Sequence, residues 1–239
     1  MNDLNIGFYK DLDTNFTQAL EMSERNFSHE ELIELLKNGN IPQKQIAALV
    51  LDYIADVKEA DILISNLTGC DGKIREAVAL KINSLLLDNE DNKNYFTQAD
   101  VFADASIDIN ANICRLVIDS VNLLKDNKLF LNIYQERILQ FIQEAFGELD
   151  KFIFRDKKYV INKQLFKLYW ALEAMKVFAE NVPREILYSI LDRASLEREY
   201  TIREKAAQII KKLQIKDLEA IVKRLSIDEN YYVRKAISD

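Results

Sequence analysis

An all-α fold is what this sequence predicts, and three observations predict it. Only five Gly and two Pro occur in 239 residues. A sheet protein of this length needs many tight turns built from those residues, whereas helical hairpins need few. The breakers that do occur, Gly39, Pro42, Gly69, Gly72 and Pro183, fall between periodic segments. Gly147 sits late in its segment and is expected to mark a helix end. Within the segments, apolar residues recur at spacings of three and four, the period of a helix buried along one side.

The periodic segments come in pairs, and the second member of each pair looks alike. KIREAVALKINSLL (73–86), NICRLVIDSVNLLK (112–125), TIREKAAQIIKKL (201–213) and YVRKAISD (232–239) share one pattern. QKQIAALVLDYIAD (43–56) and VINKQLFKLYWALEAM (160–175) are divergent copies. Anchored on Gln43, Ile74, Ile113, Ile161, Ile202 and Val233, the copies are spaced by 31, 39, 48, 41 and 31 residues. Two helices per unit at such a period are the signature of a helical repeat, in which each unit buries its apolar face against its neighbours. The expected architecture is an α-solenoid, a superhelix of about five to six antiparallel helix pairs. Positions +4, +7, +8 and +11 from each anchor form the buried stripe: Ala206, Ile209, Ile210 and Leu213 in the fifth copy, Leu165, Leu168, Tyr169 and Leu172 in the fourth. Lys81 and Ser120 interrupt the +7 column, which demands looser packing or a lysine that snorkels.

On these residues the chain resembles the HEAT-repeat family, including the shorter bacterial HEAT-like form named after phycobilisome lyases. That family places Asp five residues before the Val/Ile anchor and Arg immediately after it. Here the −5 positions are Asn38, Gly69, Asp108, Asp156, Glu197 and Asp228, and the +1 positions are Lys44, Arg75, Cys114, Asn162, Arg203 and Arg234. The complete acid–Arg pair stands only in the last two units. The resemblance implies structural roles for these residues: acids accept orphan amide hydrogens at turns and helix starts, and an Arg bridges to the neighbouring repeat. It covers about residues 30–239.

The first helices of the pairs are expected near 28–38, 57–67, 93–104, 129–147, 184–195 and 215–226. Ser28 with Glu31 reads as a capping box, and Pro183 as a first-turn residue whose missing N–H costs little. The longer third and fourth units imply extended helices or an insertion near 126–160. Residues 1–27 are expected to be an N-terminal helical cap, with the repeat running from 28 to 239. The last unit stops at Asp239, barely two turns into its second helix. It is expected to be truncated or completed by another chain, so end-to-end self-association through that end is an expected mode.

Composition narrows the class further. Hydrophobic residues make up 49% and charged residues 30%, as in a folded domain. Cys70 and Cys114 lie 44 positions apart, and with a single His they make neither a disulfide framework nor an ordinary zinc site; buried or half-buried free thiols and no metal or other cofactor are expected. No apolar run approaches the length of a membrane span, and MNDLNIGFYKDLDTN lacks the regions of a secretion signal, so a cytoplasmic protein without membrane contact is expected. The net charge of −7 is uneven: residues 1–110 hold 9 basic and 20 acidic side chains, residues 111–239 hold 23 and 19.

There is no GxGxxG, no GKS/GKT loop, no HExxH and no GxSxG, so no catalytic residues are assigned and a non-enzymatic protein is expected. His29 beside the first N-cap reads as an exposed first-turn residue. In the family the motif helices line the concave surface, opposite the buried stripe at +2, +6 and +9. Those columns contain Arg115, Asp119, Asn122, Lys163, Lys167, Trp170 and Lys211, the candidate binding residues. Trp170, the sole Trp, reads either as packing material or as an interaction hot spot among cations. The expectation is a scaffold that holds a protein or peptide on the concave face. The alternative is nucleic-acid binding, akin to the HEAT-like alkylpurine DNA glycosylases. A sequence pI near 5.0 disfavours it.

Overall fold

The computed structural model describes residues 14, 17–18, 20–22, 24–151, 158–215 and 217–238, and every regular element among them is helical. Most of the expected N-terminal cap lies outside these residues. The chain divides into two compact units, Met1–Ala105 with Asn110–Leu124, and Ser106–Ile109 with Lys125–Asp239.

The first unit holds α1 (His29–Asn38), α2 (Ile41–Val50), α3 (Val57–Ile64), α4 (Gly72–Asp88), α5 (Ala99–Ala105) and α6 (Ala111–Leu124). Each odd helix packs on the helix that follows it, α2, α4 and α6 pack in succession, and α1 packs on α3. Leu36, Ala47, Leu63 and Val117 are fully buried between the two layers. Starts are fixed by side-chain caps that satisfy amide groups the helix leaves orphaned. Ser28 and Glu31 form the expected capping box, and Asn40 with Gln43 forms a second before α2. Asp71 accepts the amide hydrogens of Lys73 and Ile74 at the start of α4.

The second unit holds α7 (Lys128–Asp150), α8 (Lys158–Met175), α9 (Arg184–Ser195), α10 (Tyr200–Leu213), α11 (Glu219–Ser226) and α12 (Tyr231–Ser238). The pattern repeats: α7 on α8, α9 on α10, α11 on α12, with α8, α10 and α12 packed in succession and α9 on α11. Leu168, Leu172, Ala206 and Ile209 of the expected stripes are fully buried. The extra length anticipated in the middle of the chain is α7 itself, a helix of 23 residues.

Several local expectations are corrected. The helix over 43–56 stops at Val50, because Leu51 and Ile54 leave it to enter the core at 0% and 4% exposure. Gly147 lies inside α7, which continues to Asp150; one interior glycine costs about 1 kcal/mol, too little to end a long packed helix. Pro183 is the N-cap of α9 rather than a first-turn residue, with ψ at 135° outside the helical range. A 3-10 turn, Glu90–Asn94, precedes α5, which begins later than periodicity suggests. There Asn92 is buried and donates to the Leu85 carbonyl at 2.7 Å, capping the end of α4. His29 is half-buried: its Nε2 lies 2.9 Å from Glu59 Oε2 and its ring stacks on Tyr53 at 4.1 Å, joining α1 to α3 and to the segment between α2 and α3. Neither cysteine forms a disulfide, but Cys70 is exposed in the loop before α4 while Cys114 is buried.

Candidate functional site

The face of the second helices is built on the repeat motif. The motif Arg turns back to the carbonyl six residues earlier in three copies: Arg75 to Gly69, Arg203 to Glu197 and Arg234 to Asp228. Each contact ties a second helix to the loop that leads into it from its first helix, satisfying a loop carbonyl. Arg203 does more. Its Nε and Nη2 donate to the two carboxylate oxygens of Asp228 at 2.7 and 3.0 Å, a bidentate bridge to the next pair. Hydrogen bonding by Arg203 holds the Asp228 carboxyl below the usual carboxylate range, against the opposing effect of burial.

Ser120, one of the two polar interruptions of the buried stripe, is 1% exposed and fully served. Its hydroxyl donates to the Leu116 carbonyl at 2.8 Å and accepts from Asn83 of α4 at 3.2 Å. The serine therefore adds an interhelix hydrogen bond where the stripe lacks a methyl group.

In the second unit a polar network occupies the seam between α8 and α10. Lys205, 7% exposed, donates to Glu173 and lies 4.3 Å over the Tyr169 ring. Lys176 binds the other Glu173 oxygen at 2.7 Å, and both lysines reach Gln208 Oε1 at 3.3 Å. Burial, the largest influence on Glu173, pushes its carboxyl up, yet the two lysines outweigh it and hold it below its ordinary value. Burial likewise pushes the Lys205 ammonium down, and Glu173 with Tyr169 overcomes it, so the group sits above its ordinary value. Two ammonium groups share one carboxylate, which leaves the seam with a positive excess. Sequence reading missed this network. A lysine at +3 looks like a solvated residue, and only the i, i+4 spacing of Tyr169 and Glu173 could have hinted at a partner.

The candidate residues divide between the units. Arg115, Asp119 and Asn122 lie at i, i+4 and i+7 along α6 in the first unit, all exposed. On the same layer Leu49 and Leu80, at +6, are 42% and 49% exposed. In the second unit Lys163 and Lys211 are exposed, and Lys167 is half-buried. Lys167 bonds Glu144 at 3.0 Å and lies 4.4 Å over the Phe141 ring, so it serves the α7–α8 packing rather than an open face. Trp170 alone among the +2, +6 and +9 positions is buried, at 7% exposure, with Tyr169 edge-on at 5.3 Å and Phe166 at 6.3 Å. It offers no open stacking surface. The ring contacts of Trp170 run to neighbours on its own helix, which packs against the 23-residue α7.

The two ends of this layer differ in chemistry. At the C-terminal ends, Lys212 donates to the Lys176 carbonyl and Lys211 to the Ser238 carbonyl, which places cations beside the negative ends of α8 and α12. At the N-terminal ends, Tyr200 of α10 stacks on Tyr232 of α12 at 6.5 Å, and Tyr231 meets Tyr232 edge-on at 5.6 Å. The three rings are 37%, 58% and 59% exposed for Tyr200, Tyr232 and Tyr231. Charge also separates by layer: α8, α10 and α12 carry nine basic and two acidic side chains, α7, α9 and α11 six and seven. Among the described residues no group of three or more His, Cys, Asp or Glu could hold a metal ion. No described helix is long and apolar enough to cross a membrane.

No family model matches the chain, and no curated protein matches it either. Two similar solved structures are crystal structures of engineered proteins from the Northeast Structural Genomics Consortium. One is 11% identical with a TM-score of 0.50, covering 89% of this chain and 96% of its own. The other is 12% identical with a TM-score of 0.45, covering 89% and 94%. The first of these is a likeness of fold, between all-helical chains of packed helices.

Proposed function

We propose that the chain is a non-enzymatic interaction scaffold, a HEAT-like α-solenoid whose second helices form the surface that holds a protein or peptide partner. The observation that carries the reading is the charge separation between layers of the second unit. Of the nine cations on its second-helix layer, Arg203, Arg234, Lys167 and Lys205 serve the packing, but Lys163, Lys211, Lys212 and Lys235 stand exposed on a layer with only two carboxylates, while the other layer stays near balance. The motif residues support it, since Arg75, Arg203 and Arg234 are spent on the loops within their own pairs, and Arg203 also on the next pair, leaving chemistry to the variable positions. Arrays that repeat a structural unit and vary its exposed positions suit extended recognition surfaces.

The test is co-purification of partners with the full chain and with a charge-reversed chain carrying Lys163→Glu, Lys211→Glu and Lys212→Glu. A partner identified by mass spectrometry, bound by the purified parent chain and lost with the variant, is the expected result. Recovery of the same proteins by both forms would remove the second-helix layer from the account. The same cations also suit a phosphate polymer. The chain's net charge of −7 and the burial of Trp170, the expected base-stacking residue, weigh against that partner.

A further inference from the structure

Resting on the scaffold reading, we infer the class of partner: an extended acidic peptide segment with an aromatic or large apolar anchor about five residues from its acids. The inference comes from the two rims of the second-helix layer in the second unit. The N-terminal rim presents Tyr200, Tyr231 and Tyr232 as one ring cluster, more than a third of each ring residue open to solvent. Exposed tyrosines in contact with one another are rigid, amphipathic anchors that gain most from an apolar or aromatic side chain laid against them. The C-terminal rim presents Lys211 and Lys212 around the α10 terminus, next to Lys176. Of the two carboxylates in the layer, Glu173 is engaged by Lys205 and Lys176, and Glu204 accepts from Gln208.

Both rims lie on one helix, which sets the ruler. Tyr200 and Lys211 are eleven residues apart on α10, and at a rise of about 1.5 Å per residue that is roughly 17 Å. An extended peptide advances about 3.3 Å per residue, so roughly five residues join an anchor on the tyrosines to acids on the lysines. An ammonium has three donor hydrogens, so Lys211 and Lys212 can pair with peptide carboxylates beside the carbonyls they already hold. A nucleic acid meets the lysines equally well. The chain's net charge of −7 disfavours a long polyanion, whose binding rests on many phosphate contacts, more than a short peptide segment.

The experiment selects a phage library of random 12-residue peptides on the full chain, then measures the enriched peptides by fluorescence anisotropy at low and physiological salt. The expected result is enrichment of peptides with Glu/Asp about five residues from Trp, Phe or Tyr. Affinity should fall at least tenfold with Lys211→Glu/Lys212→Glu and at least fivefold with Tyr232→Ala, both variants retaining parental circular dichroism. Enrichment of motifs insensitive to these variants overturns this inference and leaves the scaffold reading standing, as does tighter binding of a 20-nucleotide oligo-dT than of the best peptide. Sedimentation covers the remaining occupant: a dimer of the parent chain that Tyr232→Ala dissolves would assign the tyrosines to a second copy and overturn the inference too. No enrichment on the parent chain overturns it outright.

Discussion

Replacing Arg203 by Ala removes four hydrogen bonds at once. Two run to Asp228 at 2.7 and 3.0 Å, and two run to the carbonyls of Glu197 and Arg198, both at 2.8 Å. The paired side chains are only 9% and 8% exposed, so the pair belongs with buried ion pairs rather than surface ones. Removing one member of such a pair leaves its partner charged and desolvated, which costs about 3–5 kcal/mol. For a unit of this size each kcal/mol lowers the melting midpoint by about 4 °C. Arg203→Ala should therefore melt roughly 12–20 °C below the parent when followed by far-ultraviolet circular dichroism. The coupling with Asp228→Ala in a double-mutant cycle should exceed about 2 kcal/mol. The pH dependence has a definite sign. Because Arg203 depresses the Asp228 carboxyl, the stabilisation is fully present above the ordinary Asp range and is lost as pH falls through the depressed value. Arg203→Ala should flatten the acid limb of stability below about pH 4. A cost under about 1 kcal/mol, or additive single variants, would refute the bridge as a fastening between pairs.

Three further outcomes concern single contacts. Ser28→Ala breaks the capping box of α1 and should destabilise the first unit by about 1 kcal/mol in urea titration, while Glu31→Gln keeps most of it. Gly39→Ala would set a methyl group 2.4 Å from the Leu35 carbonyl oxygen, and backbone cannot yield as a side chain can. A loss of about 1–3 kcal/mol is expected there. A neutral variant would mean the α1–α2 turn relaxes freely. Tyr134→Phe removes the hydroxyl that pairs with Ser106 at 2.7 Å, both residues fully buried, and should cost about 1–2 kcal/mol by thermal melting of the second unit.

Much of the fold was legible in the sequence because it is written in local rules. The Ser28–Glu31 box, the Asp and Asn caps and the i, i+3, i+4 stripes act within a few residues, so most helices start close to where their pattern begins, α5 being an exception. The Arg203–Asp228 bridge could be anticipated because a repeat places the same two positions side by side in every pair. What escaped depended on partners distant in sequence. His29 reads as a surface residue until Tyr53 and Glu59 fold over it. Trp170 shares its +9 column with the polar Asp52, Asn83, Asn122 and Lys211, so periodicity alone reads it as groove-facing, although it is buried beside Phe166 and Tyr169. Lys205 reads as a solvated lysine, because nothing near it in sequence announces that Glu173, 32 residues earlier, will lie against it.

The proposed working face is the second-helix layer of the second unit. Hydrogen–deuterium exchange of the full chain, with and without a peptide selected on it, tests that claim most directly. Slower exchange should concentrate at the ends of α10 and α12, around Tyr200, Tyr231, Tyr232, Lys211 and Lys212, with α9 and α11 unchanged. Protection confined to α7, α9 or α11 would contradict it.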